Sequence, residues 1–413
     1  MNQFFDQYTL PCGLRVLHQK DDSPIIHSGY GIKVGSQHDP LRYYGLAHLV
    51  EHMLFKGTRL RNATQIIYRT EEIGADINAF TSKDDTFVHA VFPKAHTKRM
   101  VNVLTDIVFN SLIPEEELQK EKKVIIEEIN SYEDSPSEMI FDEFEELLFR
   151  GTPVAHNILG REQSVMRITS AVARQFMHRY YIPSNMVFCI RGNVEMASVL
   201  DLLNHQLSRY ATNSPLSVVP EMYGGGLDKT RTFSINRRRE TSQVHRIVGC
   251  LAPSLHDADR LPMTLLCNML GGPAMSSRLN LLLRERYGLV YGVESSFTPM
   301  SSAGVFSIYF GCSKKDLPLA TNLVHRAVDE YCVSLVSEDE LRKAKRQLRG
   351  QLTLAMDNRE GSFLAAAKNY LHYDRCQTID ETLQKIEEVT PQEVCKVAYS
   401  FLLQEYRRTL TYL

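Results

Sequence analysis

No run in this chain approaches the ~18 to 20 consecutive apolar residues that a membrane-spanning helix requires. The N-terminal stretch MNQFFDQYTL also lacks a basic region followed by an apolar one. The expectation is a soluble cytoplasmic chain with no membrane partner. A clustered basic excess is missing as well: 47 Lys+Arg stand against 49 Asp+Glu, a formal charge of −2. Nothing therefore marks a nucleic-acid partner, and the one dense run, Arg237-Arg238-Arg239, reads as a solvated strand end. There is no C-x-x-C pair. The 8 cysteines are scattered singly, mostly in apolar runs such as Val187-Phe188-Cys189-Ile190, and read as reduced core residues rather than disulfides or thiolate ligands.

What remains is 413 residues, 43% of them hydrophobic, enough for two or three domains at roughly 150 to 200 residues each. Patterning predicts strands near 14–18 and 25–34, a helix over 44–55, a helix over 63–73, and a hairpin of 77–82 with 86–92. Helices near 94–110, 115–133, 140–149 and 169–180, a strand over 186–191 and a helix near 195–208 complete the first half. The stretch 211–228 is the one place where Pro, Ser, Asn and three successive glycines cluster without periodicity. Taking 213–228 as a linker leaves domains 1–212 and 229–413.

The second half repeats the order of the first, with strands near 231–236, 243–252, 290–298 and 303–311 and helices near 259–270, 316–333 and 338–356. Local likeness accompanies it: Glu117-Leu118-Gln119-Lys120-Glu121 parallels Glu340-Leu341-Arg342-Lys343-Ala344, and Ile168-Thr169 parallels Val389-Thr390. The expected fold class is α+β, with two homologous domains, each a mixed, mainly antiparallel sheet covered by helices.

On the helix at 44–55 sits His48-Leu49-Val50-Glu51-His52. Imidazoles at i and i+4 share one helical face and can share a metal ion, while the carboxylate between them can act on a bound water. A catalytic zinc usually takes a third protein ligand. On the acidic helix 115–133, Leu118, Val124, Ile125, Ile126 and Ile129 define an apolar face, with Glu121 and Glu128 on its flank within about 20° of each other and Glu127 opposite. Carboxylates at such a boundary are costly without a cation or other partner. In the repeat, Thr264, Cys267 and Asn268 replace His48, Glu51 and His52, and Ala344 and Gln351 replace Glu121 and Glu128. One metal site per chain follows.

His48-x-x-Glu51-His52 with Glu121 and Glu128 resembles the inverted zinc motif of the pitrilysin family of metallopeptidases, which includes insulin-degrading enzyme and the mitochondrial processing peptidases. The likeness runs through Gly45 to Thr58 and Asn78-Ala79-Phe80-Thr81, and in the second half from Gly271-Gly272 to Ser277-Arg278-Leu279 and from Leu283 to Tyr291. Pro273 departs from it, standing where many relatives have a further glycine.

The resemblance implies a processing-peptidase-like fold and a zinc endopeptidase that acts on peptides or unfolded segments inside a clamshell chamber. It implies one Zn2+ per chain on His48, His52 and Glu128, Glu51 as general base, and Glu121 as an acid that orients the site. Arg284 and Tyr291 match the pair that holds the substrate carbonyl and the oxyanion; by sequence alone Tyr291 reads as an ordinary strand residue. Asn78, Ala79, Phe80 and Thr81 match the edge strand to which substrate backbone is added. Since the chain carries both the zinc motif and the Arg/Tyr pair, a homodimer with peptide substrates is expected. The alternative is a catalytically inactive core subunit of the same fold, in which the metal motif is typically degenerate.

Overall fold

The computed structural model describes residues 5–210 and 231–413, so the linker expected at 213–228 lies outside the described residues. The first half gives β1 (Phe5–Thr9), β2 (Arg15–Gln19), β3 (Ile25–Ile32), α1 (Leu46–Leu54), α2 (Ala63–Glu71), β4 (Asp76–Thr81) and β5 (Thr86–Pro93). It continues with α3 (Thr97–Asn110), α4 (Glu115–Glu133), α5 (Pro136–Leu148), α6 (Glu162–Arg167), α7 (Ser170–Tyr180), β6 (Met186–Arg191) and α8 (Met196–Gln206). Beyond residue 230 come β7 (Ser234–Arg237), β8 (Val244–Ala252), α9 (Arg260–Gly271), a π-helical segment (Asn280–Arg286), β9 (Val290–Pro299) and β10 (Gly304–Cys312). The chain ends with α10 (Leu317–Val333), α11 (Glu338–Ala355), α12 (Arg359–Tyr373), α13 (Ile379–Glu388), α14 (Pro391–Leu402) and β11 (Arg408–Tyr412).

Six strands form one sheet in the order β1-β2-β6-β3-β5-β4 and five form another in the order β7-β11-β8-β10-β9. The pairs β2–β6 and β7–β11 are parallel and the others antiparallel. Leaving out β1, the two orders match strand for strand, including the place of the parallel pair. The internal repeat is therefore present in the topology, and the α+β fold of two related sheets is as expected.

β6 reads as a continuous apolar run because its sheet is covered on both faces. Met186, Phe188 and Ile190 join the main core with Leu49, Val50 and Met53 of α1 and Leu104 and Ile107 of α3. The alternate residues Val187 and Cys189 face Phe363, Ala367 and Leu371 of α12. All 8 cysteines are free thiols; five are buried as core residues, and Cys12, Cys376 and Cys395 are half-buried.

The compact units do not coincide with the two halves of the sequence. The first runs through Ile129, resumes at His156 and recruits Ala355–Ile379; the second takes in Asn130–Ala155. Two helices thus change sides relative to the expected division. The reason is complementary apolar faces: α5 presents Ile140, Phe144 and Leu148, spaced by four, to Ile247, Leu251 and Leu410 of the second sheet, whereas α12 supplies the second face of the first sheet. Among the described residues no helix is long and apolar enough to cross a membrane.

Candidate metal centre

α1 is anchored by six apolar residues, Leu46, Ala47, Leu49, Val50, Met53 and Leu54, all buried in the main core. Its N-terminus is held by a side chain outside the helix. Gly45 takes the left-handed conformation at φ 91°, and the buried carboxylate of Asp39 accepts from the N–H groups of Gly45 (2.8 Å), Leu46 (3.1 Å) and Ala47 (2.8 Å). Three of the donors that a helix start leaves unpaired are satisfied at once. His156 lies 3.4 Å from the same carboxylate. His156 comes from far along the chain, and Asp39, though only six to eight residues upstream of its donors, reaches them across a loop rather than from the N-cap position, so neither matches a local capping pattern.

With the apolar stripe fixed, His48, Glu51 and His52 emerge on the other side. His48 and Glu51 are buried, and His52 is partly exposed. The imidazoles of His48 and His52 lie 4.6 Å apart. α4 approaches from the side: Leu118 and Ile125 lock it into the core, and Glu128 Oε2 stands 3.9 Å from both His48 Nε2 and His52 Nε2. One donor atom from each of His48, His52 and Glu128 lies within 4.8 Å of the others, and among the described residues this is the one such group. The apolar face of α4 is narrower than its periodicity predicts, since Val124 is half exposed.

This donor set fits zinc. Burial, and then the charge of His52, push the His48 imidazole down to about 3, so it is neutral at pH 7 with a lone pair available to a metal. Two imidazoles and a carboxylate are a zinc-type set that leaves a coordination position open. Glu121, buried at the α4–α1 contact, has Oε2 3.1 Å from His52 Nδ1 and Oε1 2.6 Å from Lys56 Nζ. The carboxylate therefore receives the Nδ1 hydrogen and leaves His52 Nε2 as the acceptor nitrogen, while Lys56 offsets its charge. The role of Lys56 was missed at the sequence level.

Glu51 makes no ligand contact. Burial raises its carboxyl above the usual range, while the Thr81 hydroxyl bond, the charge of His52 and the repulsion of Glu128 act on it more weakly. Thr81 Oγ1 donates to Glu51 Oε2 at 2.6 Å. Asn78, Ala79, Phe80 and Thr81 lie on β4, which among the described residues ends its sheet with β5 as its one neighbour.

Arg284 and Tyr291 belong to the second unit. Arg284 sits in the π-helical segment, exposed and 3.6 Å from the Glu285 carboxylate, and Tyr291 is the second residue of β9, with 92% of its surface exposed. The helix equivalent to α1 carries no ligand set: Ser295 Oγ donates to the Cys267 carbonyl at 2.6 Å, and Cys267 Sγ lies 3.5 Å from the same hydroxyl.

Residues 15–162 match the family model described as insulinase (peptidase family M16), and residues 167–348 match the peptidase M16 inactive domain. An uncharacterized zinc protease of Bacillus subtilis is 29% identical over 98% of this chain and 97% of its own length. One of Mycobacterium leprae is 30% identical over 96% of this chain and 89% of its own. Among solved structures, a Helicobacter pylori protease superposes with a TM-score of 0.91 over the full length of both chains at 18% identity. A Pseudomonas fluorescens structure described as a peptidase M16 inactive domain gives 0.88 over 100% of this chain and 98% of that one at 21% identity. The inverted His/Glu/His motif, the repeated sheet and these matches agree, and the chain belongs to the M16 family of peptidases.

Proposed function

We propose that this protein is a zinc-dependent endopeptidase that cleaves peptides or unfolded segments in a chamber formed by two copies of the chain. The observation that carries the reading is the convergence of His48, His52 and Glu128 beside a buried carboxylate, Glu51, that is not part of the donor group. His48, His52 and Glu128 would hold one zinc ion per chain, which when bound supplies Lewis acidity toward an attacking water and the scissile carbonyl. Glu51 accepts the proton of that water and returns it to the leaving amine, a task suited to a carboxyl that burial makes more basic than an exposed one. Glu121 fixes the ring of His52 through Nδ1. Arg284 and Tyr291 of the partner subunit donate to the oxygen that gains charge as the carbonyl is attacked; their exposure supports that assignment. The free edge of β4 accepts the substrate backbone as an added strand, which leaves recognition tolerant of side chains.

The decisive test is Glu51→Gln, which is expected to keep its zinc and lose cleavage of an internally quenched peptide by about 10³-fold or more. A purified wild-type chain without zinc and without cleavage would instead favour the inactive-subunit reading. The dimer is tested by mixing Glu51→Gln with Arg284→Ala chains: activity returning in the mixture supports sites completed in trans, and no recovery in a confirmed mixed dimer refutes it.

A further inference from the structure

The carboxylate assigned as base is tied to the strand assigned as the substrate edge. Glu51 Oε2 accepts from Thr81 Oγ1 at 2.6 Å, and Thr81 is the last residue of β4. A second hydroxyl, Thr86 Oγ1, lies 3.3 Å from that of Thr81, but its single hydrogen goes to the Val34 carbonyl at 2.8 Å. The Thr81 hydrogen is therefore committed to the carboxylate, which is both the closer acceptor and the charged one. Oε2 already carries a strong hydrogen bond, which lowers its basicity, and Oε1 is the oxygen better placed to collect a proton.

The donor is itself held from the far side. Thr81 runs directly into the turn at 82–85, where Ser82 O accepts from Ser36 N–H at 3.0 Å and Ser82 Oγ donates to Asp85 Oδ1 at 2.7 Å. Asp85 Oδ2 is 2.7 Å from His372 Nε2 and 3.2 Å from Lys368 Nζ, both on α12. The side chains of Asp85 and His372 are 0% exposed, so the anchor is shielded from competing water. β4 therefore ends at a fixed point, and its last side chain grips the base.

We infer that Thr81 is a positioning residue: its hydroxyl holds Glu51 in one orientation, with Oε1 free for proton transfer, and couples the base to the edge on which a substrate strand lies. This rests on the peptidase reading above. A peptide seated in register on β4 would steady the donor and hence the base, so turnover, more than binding, depends on the hydroxyl.

The experiment compares zinc-loaded Thr81→Val, a strand-compatible isostere without the hydroxyl, with Thr81→Ser, which keeps it. Expected is a fall in kcat of about tenfold or more for the valine variant, with KM within about twofold and zinc content unchanged, and recovery to within about threefold of wild type for the serine variant. A valine variant with wild-type kcat, a serine variant as slow as valine, or a change confined to KM overturns the inference. A crystal structure of metal-free Thr81→Val gives a second readout that does not depend on turnover: the Glu51 side chain is expected to leave its present orientation, and an unchanged carboxylate overturns the inference. Failure of the peptidase reading is distinguishable, because there Glu51→Gln cleaves as well as wild type or neither cleaves, whereas an inactive Glu51→Gln beside a fully active Thr81→Val removes only the role of Thr81.

Discussion

α1 and α9 occupy the same place on two sheets of the same strand order, yet one carries a polar cluster and the other a closed contact. Between α1 and β4 the gap is filled by Glu51 and the Thr81 hydroxyl, with His48 and His52 facing Glu128. On the other sheet, the Ser295 hydroxyl bonds to the backbone of α9 itself. A Cβ added to Gly271 would lie 2.8 Å from the Ser295 nitrogen, which shows how closely α9 is seated on β9. Ala344, where the first copy has Glu121, is buried without needing a partner. A carboxylate placed between a helix and a strand requires a hydrogen-bond partner, and the donor group beside it requires supporting ions; without them, the scaffold packs as an ordinary core.

Substitutions at equivalent places separate the two sites, and the largest effect belongs to the donors. His52→Ala is expected to abolish stoichiometric zinc binding and with it cleavage, whereas Asn268→Ala, its counterpart on α9, leaves zinc content unchanged; elemental analysis of both purified variants decides this.

The next largest effect concerns the turns that follow the two edge strands. The β4–β5 turn depends on the buried Asp85–His372 contact with Lys368 at its partly exposed edge, while the β9–β10 turn has buried Met300 and Ala303 and a main-chain bond of 2.7 Å from Met300 N–H to Ala303 O. Asp85→Asn should cost about 3 to 5 kcal/mol, since it leaves His372 and Lys368 without their anion. Burial alone would raise the Asp85 carboxyl, but the His372 bond, the charges of Lys368 and His372 and the Ser82 hydroxyl together hold it below its ordinary value of 3.8. A depressed carboxyl stabilises the fold fully above its unfolded value and loses that contribution as pH falls through its folded value. The Tm difference between wild type and Asp85→Asn should therefore be constant from neutral pH down to about 5 and shrink below about 4. Hydrogen exchange should show the β4–β5 turn loosening in acid before the β9–β10 turn.

The smallest effect is expected at Glu121→Gln, which leaves the zinc donors intact but weakens the hold on His52 Nδ1. A loss of about 10- to 100-fold in zinc affinity, measured by competition with a chelator, is expected. An unchanged affinity would mean that packing alone orients the ring.

The elements that carry the site were legible because their signals are local. The i, i+4 histidines lie on an amphipathic helix, the Glu121 and Glu128 flank follows from helical winding, and the β4–β5 hairpin alternates around a polar turn. Other elements were not seen: β1 is a short outer strand of mixed character, and α12 buries small residues such as Ala366 and Ala367 with little contrast between its faces. Lys56 and the Thr81–Glu51 bond join residues far apart in the chain, so no window of sequence contains them, and Asp39 reaches the start of α1 from six to eight residues upstream, outside the usual N-cap spacing. The exchange of α5 and α12 escaped for the same reason, since each helix is amphipathic regardless of which sheet it meets.

That exchange has a consequence for how the protein is made. β6, the last strand of the sheet beside the candidate metal centre, ends at Arg191, but the helix that covers the outer face of that sheet ends only at Tyr373. At common translation speeds the ribosome needs roughly ten to forty seconds to cover that interval. Through that time Leu17, Phe87 and Val187 have no lid from their own chain. The half of the molecule with the candidate metal centre is thus synthesised first and finished late, and a nascent chain halted before α12 would present an open apolar sheet to the chaperones around it.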